Sequence, residues 1–181
     1  MQKAKSKRFR NFKKICGFRT IKKEIIKAKK KVSPLPSTKI NDLLKCTPNF
    51  LGCYAENELD NLRMQSFPCF IIVNIDSSNL PGSHWIALGL FKDRIEIVDP
   101  LGFNIFNWSR VPCSLMKFCH RFAVTRKIFI SKRIQPRDSI LCGFYCIYYI
   151  LYRHYFTLNY IFKNFSTGLK LNDSILINKF R

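Results

Sequence analysis

Residues 135–155 read QPRDSILCGFYCIYYILYRHY, and this stretch predicts a loop that leads into a buried helix. Nearly every residue from Cys142 to Tyr152 is apolar or aromatic, and a helix that is apolar on all sides belongs in the middle of a domain. Cys142 falls in the first turn, where the positive end of the helix dipole stabilises an anionic sulfur. Gly143 lets another backbone approach closely. Gln135 can offer an amide N–H to a group bound beside the sulfur. The alternative is a purely structural cysteine, because free cysteines are among the most often buried residues.

Composition indicates a folded intracellular protein. The 181 residues are 47% hydrophobic and 14% aromatic, which is enough for one domain with a core and an extension. We see no apolar run long enough to span a membrane and no secretory signal, so no membrane partner is expected. The eight cysteines are expected to be free thiols in a reducing compartment. Their spacing contains no Cys-x-x-Cys pair, so no metal cofactor is expected either.

Positive charge is concentrated at the N-terminus. Residues 1–31 hold fourteen Lys or Arg and one acid, Glu24, and so carry thirteen of the net twenty-one positive charges. This block, with the Ser33-Pro-Leu-Pro-Ser37 linker, predicts a basic arm over residues 1–35. DNA is the expected partner, with Phe9, Phe12 and Phe18 as candidates for base stacking. A disordered solubilising tail or a nuclear localisation signal is the alternative. The candidate phosphate-binding residues are Lys7, Arg8, Arg10, Lys13, Lys14, Lys22, Lys23, Lys29, Lys30 and Lys31.

A predicted hairpin brings a histidine and an acid together. The patterns predict strands at 69–74, 84–91, 94–99 and 126–131 and a helix at 109–121. A two-residue turn at Lys92 and Asp93 sets Asp99 opposite Ile86, and side chains alternate along a strand, so His84 and Asp99 share one face. The remaining residues of that face are apolar, and the helix beginning at Cys142 is expected to pack on it. A slip of one residue would separate the pair.

These residues together are the components of a cysteine nucleophile site. Cys142 would attack, His84 would act as general base, Asp99 would orient the imidazole, and Gln135 would bind an oxyanion. Each has an ordinary structural role as its alternative, such as a hydrogen-bonded histidine in the core or an Asp-Pro turn.

Four motifs resemble those of the adenovirus protease (adenain) group, which includes proteases of Polinton/Maverick-type elements. They are Gly82-Ser-His84-Trp85, Val98-Asp99-Pro100-Leu101-Gly102-Phe103, Gln135, and Cys142-Gly143-Phe144-Tyr145-Cys146. The chain order is that of the clan that also contains the SUMO proteases. The resemblance implies an α+β papain-like cysteine protease fold with rearranged chain order, in which a central mixed β-sheet packs on a buried helix that begins at the catalytic cysteine. It also implies cleavage after small residues, typically glycine. Trp85, beside His84, could roof a narrow substrate channel, and the alternative is that it packs on the opposite face of the sheet. Gly143 is the second substrate-binding candidate.

The resemblance leads to one main function and two alternatives. We expect a protease domain over residues 36–166, a C-terminal tail over 167–181, and cleavage of viral precursor polypeptides in the host nucleus and virion. DNA and a viral peptide are possible activators. Asp99 stands where adenovirus enzymes usually have Glu, and the basic arm has no counterpart in the group. The alternatives are a SUMO or ubiquitin-like-protein deconjugating protease, and an inactive DNA-binding packaging protein.

Overall fold

The computed structural model of the protein describes residues 2–102, 112–123 and 127–181. The chain divides into two compact units, Asn49–Arg133 and the combination of Met1–Pro48 with Ile134–Arg181. Three parts of the sequence predictions lie outside the described residues. They are Phe103 of the Asp99 motif, residues 109–111 of the predicted helix 109–121, and Arg126 of the predicted strand 126–131.

The unit Asn49–Arg133 is built on a five-stranded mixed sheet. Its elements are β1 (Phe50–Ala55), a 3-10 helix (Glu56–Asn61), β2 (Cys69–Asn74), β3 (Trp85–Leu90), β4 (Arg94–Val98), α4 (Cys113–Ala123) and β5 (Lys127–Ile130). The strand order follows the chain. Strands β2, β3 and β4 are antiparallel neighbours, whereas β1 joins β2 and β5 joins β4 in parallel. The predicted α+β class and mixed sheet are therefore confirmed.

The β3–β4 turn has the predicted register. The backbone N–H of Phe91 donates to the Arg94 carbonyl at 2.9 Å, which makes Lys92 and Asp93 the two residues of the turn. Ala87 stands opposite Val98, as the prediction requires. Side chains alternate across the sheet, so this register carries His84 and Asp99 to one face at the end of the hairpin.

Both faces of the sheet are buried, whereas the sequence analysis identified one apolar face. The predicted face, Ile86, Leu88, Leu90, Ile95 and Ile97, forms one hydrophobic cluster with side chains of α4. The expected occupant of that face was the helix beginning at Cys142, but the described contacts come from Leu115, Phe118 and Cys119, whose spacing forms a stripe along α4. On the opposite face Phe70, Ile72, Ala87 and Val98 are also buried. Strands covered on both sides read as continuous apolar runs.

The other unit is helical and surrounds one fully buried helix. Its elements are α1 (Gln2–Ile15), α2 (Phe18–Lys31), α3 (Ser37–Leu44), α5 (Cys142–Arg153), α6 (Leu158–Phe162) and α7 (Asn172–Lys179). Helix α5 begins at Cys142, and every residue from Cys142 to Tyr152 is buried, as predicted. In the described ranges, no helix combines the length and the apolar character needed to cross a membrane.

The basic segment 1–31, which the sequence analysis treats as a separate arm, forms α1 and α2 inside the helical unit. Ile21 and Ile25 are fully buried, and Ala28 is nearly so, which agrees with the amphipathic pattern of α2. The expected base stacking by phenylalanines does not fit, because Phe12 and Phe18 are 7% and 2% exposed. Phe9 joins them in an aromatic cluster that includes Tyr152, Tyr155 and Phe156. Burying these large rings is more favourable than leaving them in water.

The C-terminal residues, expected to be a tail from 167, also belong to the helical unit. Asn172, Leu176 and Phe180 are fully buried. The Asn172 amide donates to the carbonyls of Ile134 at 2.7 Å and Ser166 at 2.9 Å. The bond to Ile134 joins residues 38 apart in the chain and makes α7 a structural part of the unit.

We predict that Phe18→Ala lowers the free energy of unfolding by about 3–5 kcal/mol, because it removes a buried aromatic side chain. The Phe18 ring lies 5.4 Å from that of Phe180 and 6.0 Å from that of Tyr152. Urea unfolding monitored by circular dichroism measures the change. Arg19→Ala, on the exposed side of the same helix, is the control and should cost under about 1 kcal/mol. Equal stability of the two variants would show that α2 is not packed as described.

Candidate active site

His84 and Asp99 form a buried hydrogen-bonded pair at the end of the β3–β4 hairpin. Nε2 of His84 lies 2.6 Å from Oδ1 of Asp99. The two residues are 9% and 5% exposed. An ionised carboxylate can only accept hydrogen bonds, so this contact favours the tautomer of neutral His84 with its proton on Nε2. The pair has the geometry of an imidazole held in one orientation and one tautomer by an acid.

The loop before β3 fixes the position of His84. The backbone N–H of Ile75 donates to the His84 carbonyl at 3.1 Å, and the Asn74 side chain accepts from the Asp76 N–H at 2.9 Å. Gly82 has a φ of +80°, and a β-carbon there would overlap the Asn74 amide. The positive φ strains any residue that carries a side chain, which gives the glycine of the Gly82-Ser-His84 motif a physical reason. Asn74 is a buried contributor that the sequence analysis missed.

Asp99 is held by its own turn and by Ser131, the residue that follows β5. Its Oδ1 also accepts from the Leu101 N–H at 2.8 Å, and its carbonyl accepts from the Gly102 N–H at 3.0 Å. The Ser131 hydroxyl donates to the same carbonyl at 3.1 Å. A side-chain bond to the backbone two residues ahead is typical of an aspartate opening a turn. Ser131 carries no motif signal, and the sequence analysis did not select it.

Gly102 explains the end of the same motif. Its φ is +78°, and a β-carbon would lie 2.9 Å from the Arg133 backbone nitrogen. A side chain at this position would therefore force apart the turn that follows Asp99 and the chain that leaves β5.

Cys142 is the first residue of α5, as the sequence predicts. The backbone N–H groups of Phe144 and Tyr145 donate to the Leu141 carbonyl at 2.9 Å and 3.0 Å, which starts the helix at this cysteine. Cys142 is 4% exposed, whereas Cys146, one turn later, is fully buried. The N–H groups of Cys142 and Gly143 precede these bonds and have no acceptor within the helix, so they can point toward an anion bound at this end. Gly143 lies in the same turn, and Trp85 is the first residue of β3.

Gln135 is buried in the loop that leads to Cys142. It is 1% exposed, and its Nε2 donates to the Ser139 carbonyl at 2.6 Å. An amide nitrogen carries two hydrogens in the plane of the group. The bond to Ser139 uses one of these hydrogens and restricts the orientation of the Gln135 amide.

Three other cysteines have the properties of structural thiols. Burial raises the pKa of Cys53 and Cys119 to about 12 and that of Cys69 to about 11. The thiolate is the nucleophilic form, so these residues are inert at neutral pH. Cys46 and Cys113 are exposed and will react with any general thiol reagent.

The four predicted catalytic residues thus lie in two pairs. His84 and Asp99 are in contact within the sheet unit, and Gln135 and Cys142 belong to one loop and helix of the helical unit. That the two pairs form one centre stays a prediction. Among residues 2–102, 112–123 and 127–181, no three His, Cys, Asp or Glu side chains are grouped as metal ligands.

Among the solved structures to which the chain is similar are proteases. The ASFV protease pS273R shares 19% identity at a TM-score of 0.49, and the match covers 82% of this chain and 68% of that one. SUMO protease Ulp1, solved with its catalytic cysteine oxidised to a sulfinic acid, shares 17% identity at a TM-score of 0.42 over 81% of this chain and 78% of its own. No protein-family model matches the chain, and no curated protein matches it.

We predict that neutral His84 carries its proton on Nε2, because that nitrogen faces the Asp99 carboxylate. A ¹⁵N-edited NMR spectrum of the imidazole reports the tautomer, and the Nε2 proton should be strongly deshielded and slow to exchange. Asp99→Ala should remove the deshielded signal, whereas Asp93→Ala at the exposed turn should leave it in place. A proton on Nδ1 in the unmodified protein would contradict the pairing.

Proposed function

We propose that the protein is a cysteine endopeptidase with Cys142 as nucleophile, His84 as general base, Asp99 as orienting acid and Gln135 as oxyanion donor. The observation that carries this proposal is the buried 2.6 Å hydrogen bond between His84 and Asp99. An imidazole fixed by a carboxylate at one nitrogen is ready to exchange a proton at the other. The helix that starts at Cys142 and the buried Gln135 amide add the other two components.

The proposed reaction proceeds through an acyl-enzyme. The Cys142 sulfur forms a bond to the substrate carbonyl carbon, and its proton passes to Nδ1 of His84, since Nε2 is bonded to Asp99. The Gln135 amide and the Cys142 backbone N–H donate to the oxyanion. The peptide C–N bond then breaks, and the leaving amine takes the proton from Nδ1. Water attacks the thioester with His84 again accepting a proton, and the carboxylic acid and the Cys142 thiol are released.

The substrate assignment depends on the motif resemblance described above. The resemblance favours viral precursor polypeptides as substrates, with cleavage after glycine. It also favours the host nucleus and the virion as the locations of the enzyme. An indole at Trp85, next to the general base, would suit a narrow channel for a chain without side chains. A SUMO or ubiquitin-like substrate is the alternative, since these also end in glycine. An inactive packaging protein is the third candidate, and the intact set of four residues counts against it.

We predict that a peptide vinyl sulfone ending in Gly-Gly labels Cys142 and that Cys142→Ala abolishes both labelling and peptide cleavage. Cys146→Ala, at the fully buried neighbour, should leave most of the activity. His84→Ala should lower the labelling rate by a factor of about 10²–10⁴, the usual contribution of a positioned general base. Peptide mapping by mass spectrometry identifies the modified residue.

The same labelling experiment separates the candidate functions. A folded protein that does not react with the probe would support the packaging protein and reject the protease. Faster reaction with a probe ending in a bulky residue would reject glycine specificity. A ubiquitin-like protein bearing the same warhead, if it reacts much faster than the peptide, would favour the deconjugating protease. Cys46 and Cys113, which are exposed, report non-specific alkylation.

We also propose that α1 and α2 bind DNA through its phosphates. The observation that favours this is the exposure of their cations: Lys7, Arg8, Arg10, Lys14, Arg19, Lys23, Lys27, Lys30 and Lys31 all face solvent. Their aromatic neighbours are packed inside, so the surface has charge without base-stacking groups and should show little sequence preference. Lys13 and Lys29 have partners within the protein, the Arg181 carbonyl at 3.2 Å and Asp173 at 3.5 Å.

We predict that replacing Lys14, Lys23 and Lys30 with Gln weakens DNA binding and flattens its salt dependence. Each lost phosphate contact reduces the slope of log K against log salt by about 0.9, so the triple variant should lose up to about 2.7. Fluorescence anisotropy over a salt series measures the slope. A triple Gln variant at Lys45, Lys132 and Lys170, exposed residues elsewhere, changes the net charge equally. If both triple variants show the same slope, binding does not occur at α1 and α2.

A further inference from the structure

We propose that Asp173 is a positioning residue that acts through Ser139 on the oxyanion donor Gln135. This inference rests on the function proposed above, in which Gln135 stabilises the developing negative charge. It gives the C-terminal helix α7, for which the sequence analysis found no function, a role in turnover.

The contacts run in an unbroken order from α7 to Gln135. Oδ1 of Asp173 accepts from the Ser139 hydroxyl at 3.0 Å. The Ser139 hydroxyl oxygen accepts from the Leu141 N–H at 3.2 Å, and the Ser139 carbonyl accepts from Nε2 of Gln135 at 2.6 Å. One residue, Ser139, is therefore bonded at once to α7, to the backbone just before Cys142, and to the Gln135 amide.

The other end of this loop is held by the residue next to Asp173. The amide of Asn172 donates to the Ile134 carbonyl, immediately before Gln135, at 2.7 Å. Asn172 and Asp173 are both buried, with 0% and 8% of their surface exposed. Two adjacent residues of α7 thus fix both ends of the loop that presents Gln135.

Two hydroxyls donate to the same side-chain oxygen of Asp173, and the first is that of Ser139. The second is the Tyr145 hydroxyl, at 3.0 Å. Burial, reinforced by the neighbouring Asp173 charge, raises the pKa of Tyr145 far above its usual value, so this hydroxyl keeps its proton and remains a donor. Hydrogen bonds to an ionised acceptor are stronger than those between neutral groups. An asparagine at 173 would keep a side-chain oxygen but lose the negative charge, so both hydrogen bonds to that oxygen would weaken.

The ion pair between Asp173 and Lys29 contributes less to the position of the Asp173 side chain than the two hydroxyl contacts do. It is 3.5 Å long, and the Lys29 side chain is 44% exposed. Exposed pairs contribute little because solvent screens them. The positioning effect is therefore assigned to the buried contacts with Ser139 and Tyr145.

A double-mutant cycle in the full-length protein tests the proposal. Asp173→Asn should lower kcat for a Gly-Gly peptide by a factor of about 10–100 with KM nearly unchanged, because a displaced donor costs rate and not substrate affinity. In a Gln135→Ala background the same substitution should cost less than about threefold, since the group it positions is already gone. Ser139→Ala, which keeps the carbonyl but removes the link to Asp173, should reproduce both results.

The controls separate positioning from folding and from the function itself. Asp42→Asn, at an exposed residue of α3, makes the same charge change and should leave kcat unaltered. An equal loss of kcat in both backgrounds, or a change confined to KM, would overturn the positioning role. Should Asp173→Asn fail to fold, Ser139→Ala decides in its place.

A measurement independent of activity distinguishes the two proposals. The side-chain amide signal of Gln135 in ¹⁵N NMR, identified by its loss in Gln135→Ala, should be protected from exchange and should lose that protection in Asp173→Asn. An unchanged signal would overturn positioning even in an active enzyme. Lost protection in a protein that cleaves no peptide would support positioning and reject the protease.

Discussion

The complete burial of α5 is the constraint on which the helical unit depends. Eleven consecutive residues, Cys142 to Tyr152, are buried, and four of them are tyrosines. A buried hydroxyl without a partner costs roughly 1–3 kcal/mol. Three of these hydroxyls donate to the other C-terminal elements, at Ile161, Asp173 and Lys179. Helices α6 and α7 are therefore held in place by the polar ends of side chains whose rings form the core.

The same contacts link stability to the proposed chemistry. Asp173 anchors α5 through Tyr145 and the preceding loop through Ser139. A change in α7 would thus reach the start of α5, where Cys142 lies. In the sheet unit, Asp99 likewise contacts both a catalytic candidate and the backbone, because its Oδ1 binds the His84 ring and accepts from the Leu101 N–H. The His84 ring is thus oriented by Asp99, which also binds the Leu101 N–H. The Gln135 amide is oriented by Ser139, which also binds the Leu141 N–H.

Much of the candidate site was predictable from the sequence because its signals are local. The length of the Lys92-Asp93 turn sets the hairpin register, and the register sets the shared face of His84 and Asp99. The apolar run after Cys142 likewise predicts where α5 begins. Asn74, Ser131 and Asp173 were not predictable in this way. Their partners lie far along the chain, or depend on a backbone turn that no spacing pattern reveals.

The sequence by itself determined the helix beginning at Cys142, the hairpin with its His–Asp pair, and the concentration of charge in residues 1–31. These follow from backbone periods and turn geometry, which neighbouring residues fix. Only the tertiary structure decided that the basic segment is folded, that α4 covers the Ile86 face, and that α7 contacts the Gln135 loop. Those outcomes depend on which surfaces bury the most apolar area and satisfy the buried polar groups, and such partners are chosen across the whole chain.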